Sequence, residues 1–360
     1  MYDALHHLWK GGCVDNIGWL EIHVVDHCNN NCRWCHNYSP FSARREFSPE
    51  EYYDGLDVLK RYNVRYDNIS LMGGEPFLHE NLHGFAYKIL ERYRKPLMLT
   101  TNGFWLSEQA VKAHADLWRI VSWLKISRYP TVEKRLGGIA EIRRVASLIK
   151  QFNPGIIIEI PDKSIFNKLE FTASPRDVET YCGNSQCTAL LPDMTMGRCG
   201  AGAYLHLAPD GAVPGGFRES RHMMYDLRNY EAHTFLLWRK RYPLDACSFC
   251  SFSGRQLQTR WKVERGRPVF NTDYEREYDF AIGKRLVAMG EAEDARKMAC
   301  NMREKYGERV EVEMLECLLA ARNGQRESTV KHITRALELA PDNEEAMRYL
   351  RSIRTALTGA

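Results

Sequence analysis

Three features of this chain predict an α/β fold, arranged as a partial (β/α)6 barrel, a small cysteine-rich domain and an all-α end. Apolar strand-like runs alternate with helix-period segments from Trp19 to about Ser174. A stretch rich in Gly, Pro and Cys follows, from Pro175 to Pro268. From about Tyr274 the sequence is alanine-rich and helical to its end. Strand–helix alternation at this spacing gives βαβ units and a parallel sheet, with chemistry at the carboxyl ends of the strands. The divisions drawn are an N-terminal extension over 1–18, the barrel over 19–175, the cysteine-rich domain over 176–270 and the helical domain over 271–360.

Taken in order, strands are predicted at Trp19–Val25, Asn68–Met72, Leu97–Thr101, Ile120–Ser127 and Ile156–Ile160, with a weaker one at Leu169–Thr172. Helix-period segments run over Pro49–Tyr62, Leu82–Arg94, Glu108–Trp118 and Val132–Phe152. Ser48 before Pro49, and Ser107 before Glu108, are helix-start signals. In the middle segment, Pro209-Asp210-Gly211 and Pro214-Gly215-Gly216 mark turns. So loop-rich a segment needs something besides an apolar core, and a bound cluster can supply it. In the last segment Gly290 and Gly324 stand 34 residues apart at predicted helix–helix turns, with Leu286 and Ala320 at a common offset before them. The run Ala336-Leu337-Glu338-Leu339-Ala340-Pro341-Asp342-Asn343 resembles the end of a tetratricopeptide (TPR) repeat, which implies two repeats and a final helix. The alternative is a plain helical bundle.

Composition excludes several classes. With 44% hydrophobic and 27% charged residues the chain is neither disordered nor fibrous. A net charge of +4 over 360 residues argues against nucleic acid as a partner. No apolar run approaches the ~20 residues of a membrane span. Met1–Asn16 carries His6, His7, Asp3, Gly11 and Gly12 in place of a signal sequence's apolar run, so a cytoplasmic location is expected. The 11 cysteines are odd in number and clustered at short spacings, which favours metal or iron–sulfur ligation over a disulfide framework.

The densest cluster is Cys28-Asn29-Asn30-Asn31-Cys32-Arg33-Trp34-Cys35, directly after the first predicted strand. Three thiolates on such a loop can hold three irons of a [4Fe–4S] cluster and leave the fourth open. A zinc site would need a fourth ligand, for which His27 and His36 are the nearest candidates. After the second predicted strand comes Met72-Gly73-Gly74-Glu75-Pro76. Two glycines allow close backbone approach to a ligand, and Glu75 offers a negative partner for an ammonium.

Together these motifs resemble the radical S-adenosylmethionine (SAM) superfamily. Its three cysteines are spaced C-x3-C-x-aromatic-C, with Trp34 in the aromatic position, and its Gly-Gly-Glu element contacts the methionine amino group. The resemblance implies a [4Fe–4S] cluster on Cys28, Cys32 and Cys35, S-adenosylmethionine held on the open iron, and a 5′-deoxyadenosyl radical that abstracts a substrate hydrogen. It further implies that Thr100-Thr101-Asn102 and Ser127-Arg128, at later strand ends, hold the ribose and carboxylate, and that an electron donor such as flavodoxin or ferredoxin is a partner. Such polar residues are alternatively mere turn formers.

A second set comprises Cys182, Cys187, Cys199, Cys247 and Cys250, of which Cys247-Ser248-Phe249-Cys250 is a C-x2-C half-site. It resembles the twitch or SPASM extension and implies an auxiliary [4Fe–4S] cluster on Cys187, Cys199, Cys247 and Cys250. Cys182 competes for the first place and, if not a ligand, is a candidate catalytic hydrogen-atom donor. Gly216 stands where the full SPASM pattern has a cysteine, which favours the one-cluster form. Zinc binding and free thiols are the bland alternatives. Cys300 and Cys317 read as packing residues, and Cys13 is unplaced. The basic stretch Arg255, Arg260, Lys262, Arg265 and Arg267 around Trp261 reads as a solvated face or a contact for acidic groups.

His36-Asn37-Tyr38-Ser39-Pro40 and Ile126-Ser127-Arg128-Tyr129-Pro130 look like carbohydrate-acting members, the aminocyclitol dehydrogenases and glycan epimerases. This implies oxidation or epimerisation at a carbinol centre. The alternatives are radical modification of a ribosomally made peptide, for which a TPR-like region would supply the binding surface, and a non-enzymatic zinc/TPR scaffold.

Overall fold

The computed structural model describes residues 16–168, 188–220, 223–240, 244, 246–247 and 258–358. The chain divides into two compact units, Met1–Phe104 with Asp116–Phe270, and Trp105–Ala115 with Asn271–Ala360.

In the first unit the strands are β1 (Trp19–Val25), β2 (Asn68–Gly73), β3 (Leu97–Thr101), β4 (Val121–Ile126), β5 (Ile157–Glu159), β6 (Ile165–Asn167), β7 (Thr188–Leu190), β8 (Thr195–Gly197), β9 (Met224–Asp226) and β10 (Gln258–Arg260). The main sheet has the order β5-β4-β3-β2-β1-β7-β8-β9. From β5 to β7 every pairing is parallel, while β8 and β9 join antiparallel. The parallel run with its crossover helices fits a radical SAM (β/α) barrel.

The first five predicted strands form within a residue or two of their expected bounds. The weak one at Leu169–Thr172 lies outside the described residues. After β5 the chain instead turns at Asp162, whose Oδ1 accepts the Ser164 N–H at 2.7 Å. It then enters β6, which pairs antiparallel with β10 rather than with β5. The segment predicted as one helix over Val132–Phe152 is two, Pro130–Arg135 and Ile139–Leu148, because Gly137 and Gly138 take φ of +84° and +97°. A right-handed helix cannot run through such angles. The segment over Glu108–Trp118 also breaks, at His114, into Glu108–Ala113 and Ala115–Ile120.

The two faces of the sheet differ in chemistry. Leu20, Ile22 and Val24 of β1 are fully buried, and Leu190 of β7 meets Gly55 of the Tyr53–Arg61 helix, so this face carries the apolar layer under the crossover helices. On the opposite face Trp19 meets Trp123 edge to face at 5.8 Å, although β1 and β4 are separated by two strands. That contact requires a curled sheet with this face concave. The register Glu21↔Ser70↔Met98↔Trp123 places Glu21 and Ser70 on the same side, with Asn68 beside Trp19 and His23 beside Met72. A barrel interior this polar is not needed for stability.

The second unit is helical: Thr272–Met289, Ala292–Tyr306, Val310–Arg322, Arg326–Leu339 and Glu344–Thr358, with Trp105–Ala115. Gly290 and Gly324 take φ of +90° and +71° and turn the chain between the first and second, and third and fourth, helices. Leu286 and Ala320 are buried ahead of them. Gly283 lets the first helix lie on Leu315 of the third, where a Cβ would come within 2.4 Å of a Leu315 methyl. Cys317 is buried and donates to the Thr329 carbonyl at 3.4 Å, whereas Cys300, expected to pack, is exposed on the other side of its helix. No helix among the described residues is long and apolar enough to cross a membrane.

Candidate functional site

The cysteine loop leaves the carboxyl end of β1 and is held from two sides. On one side residues 262–270 run along it as an antiparallel ribbon, with bridges Cys32↔Val263 and Asn30↔Phe270. Asn31 N donates to Val269 O at 3.2 Å, Arg33 N to Lys262 O at 2.9 Å, and Glu264 N to Asn31 O at 2.8 Å. On the other side the Tyr38 hydroxyl donates to Ala201 O at 3.0 Å. The loop turns through positive φ at Trp34 (61°) and Tyr38 (53°), which L residues seldom adopt. Burial pushes all three thiols, Cys28, Cys32 and Cys35, above the ordinary cysteine range; neighbouring negative charge adds to this at Cys28 and Cys32. The donors that oppose the shift include Asn30 N on Cys28 Sγ at 3.4 Å and Trp261 Nε1 on Cys32 Sγ at 3.1 Å.

Gly73, Gly74 and Glu75 stand at the end of β2, against the same loop. A Cβ at Gly73 would lie 2.0 Å from Val25 O, and one at Gly74 would lie 1.8 Å from His27 O. The two glycines thus let β2 reach the backbone of the cysteine loop, with Gly74 N on Val25 O at 2.9 Å and Glu75 N on His27 O at 3.1 Å. Glu75 is fully buried. Its Oε1 accepts from Thr101 Oγ1 at 2.6 Å and Phe77 N at 3.2 Å, and its Oε2 from Asn102 N at 2.7 Å. Burial nevertheless outweighs these donors and raises its pKa to about 7. Asn102 Nδ2 completes the connection, donating to Asn29 Oδ1 at 2.8 Å and lying 3.7 Å from Cys28 Sγ.

The structure therefore joins Cys28, Glu75, Thr101 and Asn102 in one network. Ser127 follows at the end of β4, its N–H on Thr101 O at 2.8 Å. The Arg128 guanidinium is held by Glu133 and by Asp162, the latter at 3.1 Å, and its Nε is buried without a partner. Trp34 lies under two cations, Arg33 at 4.6 Å and Lys168 at 5.9 Å. Cys199 caps the short helix Gly200–Ala203, taking the Gly202 N–H at 3.3 Å, and Cys247 packs on an apolar cluster that includes Tyr204 and Phe217. Cys182, Cys187, Cys250, Cys13 and Arg255 lie outside the described residues. Sequence reasoning did not assign roles to Asn29, Tyr129 or Trp261, which contact this network across long chain separations. Only the aromatic in a basic stretch was a signal for Trp261.

The donor set suits an iron–sulfur cluster. Among the described residues no three His, Cys, Asp or Glu side chains converge on one point. A [4Fe–4S] cluster takes one thiolate per iron and needs no common point. Burial also lowers the pKa of His27 and His36 to about 4, and His27 Nδ1 is already engaged with the Arg45 backbone at 3.1–3.2 Å. Three buried thiols lose their protons readily only to a cation. Both ends of the Asn30 amide are buried in this loop without a partner, as a missing polar group would leave them.

Residues 22–145 match the model of the radical SAM superfamily, and the chain carries that superfamily's domain. Among curated proteins it is similar to GTP 3′,8-cyclase of Aliarcobacter butzleri (strain RM4018), with 32% identity over 171 residues, 44% of this chain and 52% of the relative. The GTP 3′,8-cyclase of Nautilia profundicola (strain ATCC BAA-1463 / DSM 18972 / AmH) is 31% identical over 172 residues, covering 43% and 52%. The chain thus spans about half the length of the curated relatives it matches. Among solved structures, the crystal structure of BtrN in complex with AdoMet and 2-DOIA aligns with 65% of this chain and 92% of that one, at 18% identity and a TM-score of 0.42.

Proposed function

We propose that this chain, which carries a radical SAM superfamily domain, is an enzyme that abstracts hydrogen from a carbinol carbon of a hydroxyl-rich substrate to oxidise or epimerise it. A [4Fe–4S] cluster with S-adenosylmethionine supplies hydrogen-atom abstraction by a 5′-deoxyadenosyl radical. Cys28, Cys32 and Cys35 would hold the cluster. Glu75 would accept the cofactor's ammonium, kept in place by Thr101 and Asn102. The proposal extends to an auxiliary cluster, which Cys187 or Cys182, with Cys199, Cys247 and Cys250, would hold and which would supply electron-transfer chemistry for an oxidation; Cys182, if not a ligand, would be the hydrogen-donating thiol for an epimerisation.

The observation that carries the substrate class is the concave face of the sheet. Asn68 Oδ1, Ser70 Oγ, Trp123 Nε1 and His23 Nε2 are all buried there without a hydrogen-bond partner among the described residues. Each such group costs roughly 1–3 kcal/mol while unpaired, so a ligand bearing several hydroxyls gains by satisfying them. They include an acceptor, a donor and two groups that can do either, as hydroxyls require. A second reading, a nucleotide attacked at its sugar, is favoured by the relatives' name, GTP 3′,8-cyclase. The test is deuterium transfer into 5′-deoxyadenosine from carbinol-deuterated aminocyclitols and sugars and from [3′-²H]GTP. Transfer from a cyclitol or sugar supports the first reading, and transfer from GTP alone supports the second. Transfer only from a peptide Cα position overturns both.

A further inference from the structure

Trp261 lies outside the stretch that matches the superfamily model, yet its indole N–H reaches the middle cysteine, 3.1 Å from Cys32 Sγ. Its position is fixed by backbone on both sides. Trp261 N donates to Ser164 O at 2.8 Å, continuing the β6–β10 pairing, and the next residue's carbonyl takes the Arg33 N–H at 2.9 Å. The indole ring also lies 6.2 Å from the ring of Tyr129. A neutral thiol is a poor acceptor, and a thiolate is a good one.

We propose that Trp261 is a positioning residue that sets the reduction potential of the cluster on Cys28, Cys32 and Cys35 by donating its indole N–H to the Cys32 thiolate. The proposal rests on the reading that these cysteines hold a [4Fe–4S] cluster. Reduction adds negative charge that spreads onto the thiolate sulfurs, so a fixed donor stabilises the reduced form more than the oxidised form. The donor raises the potential and eases electron entry. It also places a residue of the 258–270 segment in control of a centre built by the start of the barrel, which couples cluster chemistry to docking of that segment.

The test is a reductive titration of the full-length, anaerobically reconstituted protein, followed by EPR. Iron content and the spectral change on adding S-adenosylmethionine are read first; if wild-type protein shows neither, the cluster assignment fails and no tuning is at issue. Trp261→Phe keeps the ring and removes the N–H. Its reduced-to-oxidised ratio at fixed potential should fall roughly two- to tenfold, tenfold being about 59 mV for one electron. An unchanged potential in Trp261→Phe with full iron and a normal S-adenosylmethionine response overturns the proposal. Should that variant fail to load iron, wild-type protein grown with ¹⁵N-indole tryptophan decides the matter. A hyperfine coupling from an indole nitrogen to the reduced cluster, retained in Trp34→Phe, supports the bond, and its absence overturns it.

Discussion

At the scale of single residues, Glu75 has two tasks that substitutions can separate. It ties the ends of β2 and β3 together through Thr101 and Asn102, and it presents the one buried carboxylate of the network to a cofactor ammonium. Glu75→Ala removes both and should destabilise the protein by roughly 3 kcal/mol or more, since it strands three buried donors, Thr101 Oγ1, Phe77 N and Asn102 N. Glu75→Gln keeps the side-chain shape and most of the bonding, so it should fold. Its affinity for S-adenosylmethionine, measured by anaerobic calorimetry, should fall roughly 10- to 150-fold, the loss of one charge-assisted bond of ~1.5–3 kcal/mol. Unchanged affinity in Glu75→Gln would move the ammonium contact elsewhere. The pH dependence has a definite sign. With its pKa raised from 4.5 to about 7 by burial, Glu75 holds its proton more tightly in the folded state than in the unfolded state. The stability this contributes to the cofactor-free protein is complete below about pH 4.5 and is lost as pH rises through about 7. Cofactor affinity runs the other way, rising as the carboxylate ionises, and Glu75→Gln should flatten it. Sequence alone made Glu75 legible as an anion. It did not reveal that three donors already occupy it, because Thr101 and Asn102 are distant in the chain.

At the scale of elements, the β1 loop and the β2 end work as one piece. Gly74→Ala would place a methyl 1.8 Å from the His27 carbonyl, a backbone atom that cannot move without breaking the Glu75 N–H bond to it. Overpacking against backbone costs about 3 kcal/mol or more. We expect a lowered urea midpoint together with reduced iron content, whereas a variant with normal iron and midpoint would show that the loop closes without this contact. The strands were legible because apolar residues recur at every second position, as Leu20, Ile22 and Val24 do around Glu21 and His23, and Ile69 and Leu71 around Ser70. Helix breaks were less so. Gly137 and Gly138 interrupt an otherwise apolar-periodic segment, and periodicity does not register where φ turns positive. The ribbon formed by 262–270 was not legible at all, since its pairing is with backbone 230 residues earlier and leaves no pattern in its side chains. The reading of that stretch as a basic face saw its exposed Arg265 and Arg267 and missed the inward Trp261.

At the scale of the whole molecule, the helical unit is not a simple appendage, because Trp105–Ala115 belongs to it. His114 and Tyr278 are joined at 3.2 Å, and Lys112 pairs with Asp294. A chain ending at Phe270 should therefore retain the cysteine-loop cluster but lose thermal stability, since the buried face of 105–115 is uncovered. Ending it at Pro268 should also cost iron, because Val269 and Phe270 pair with Asn31 and Asn30. Equal iron in the two truncated chains would contradict the ribbon's role. The helical count and its 34-residue glycine spacing were legible, because helix pairs repeat their turn residues. The inclusion of a segment from the middle of the barrel was not, because no local pattern announces a distant packing partner. All of the proposed chemistry starts from one centre, and one measurement addresses it. Reduced, reconstituted protein is given S-adenosylmethionine, and 5′-deoxyadenosine is quantified beside the variant with Cys28, Cys32 and Cys35 all changed to Ala. Wild-type protein should form 5′-deoxyadenosine, and the variant should form none while keeping about four irons on the auxiliary set. Cofactor cleavage that persists in the variant, or is absent from iron-replete wild-type protein, would contradict it.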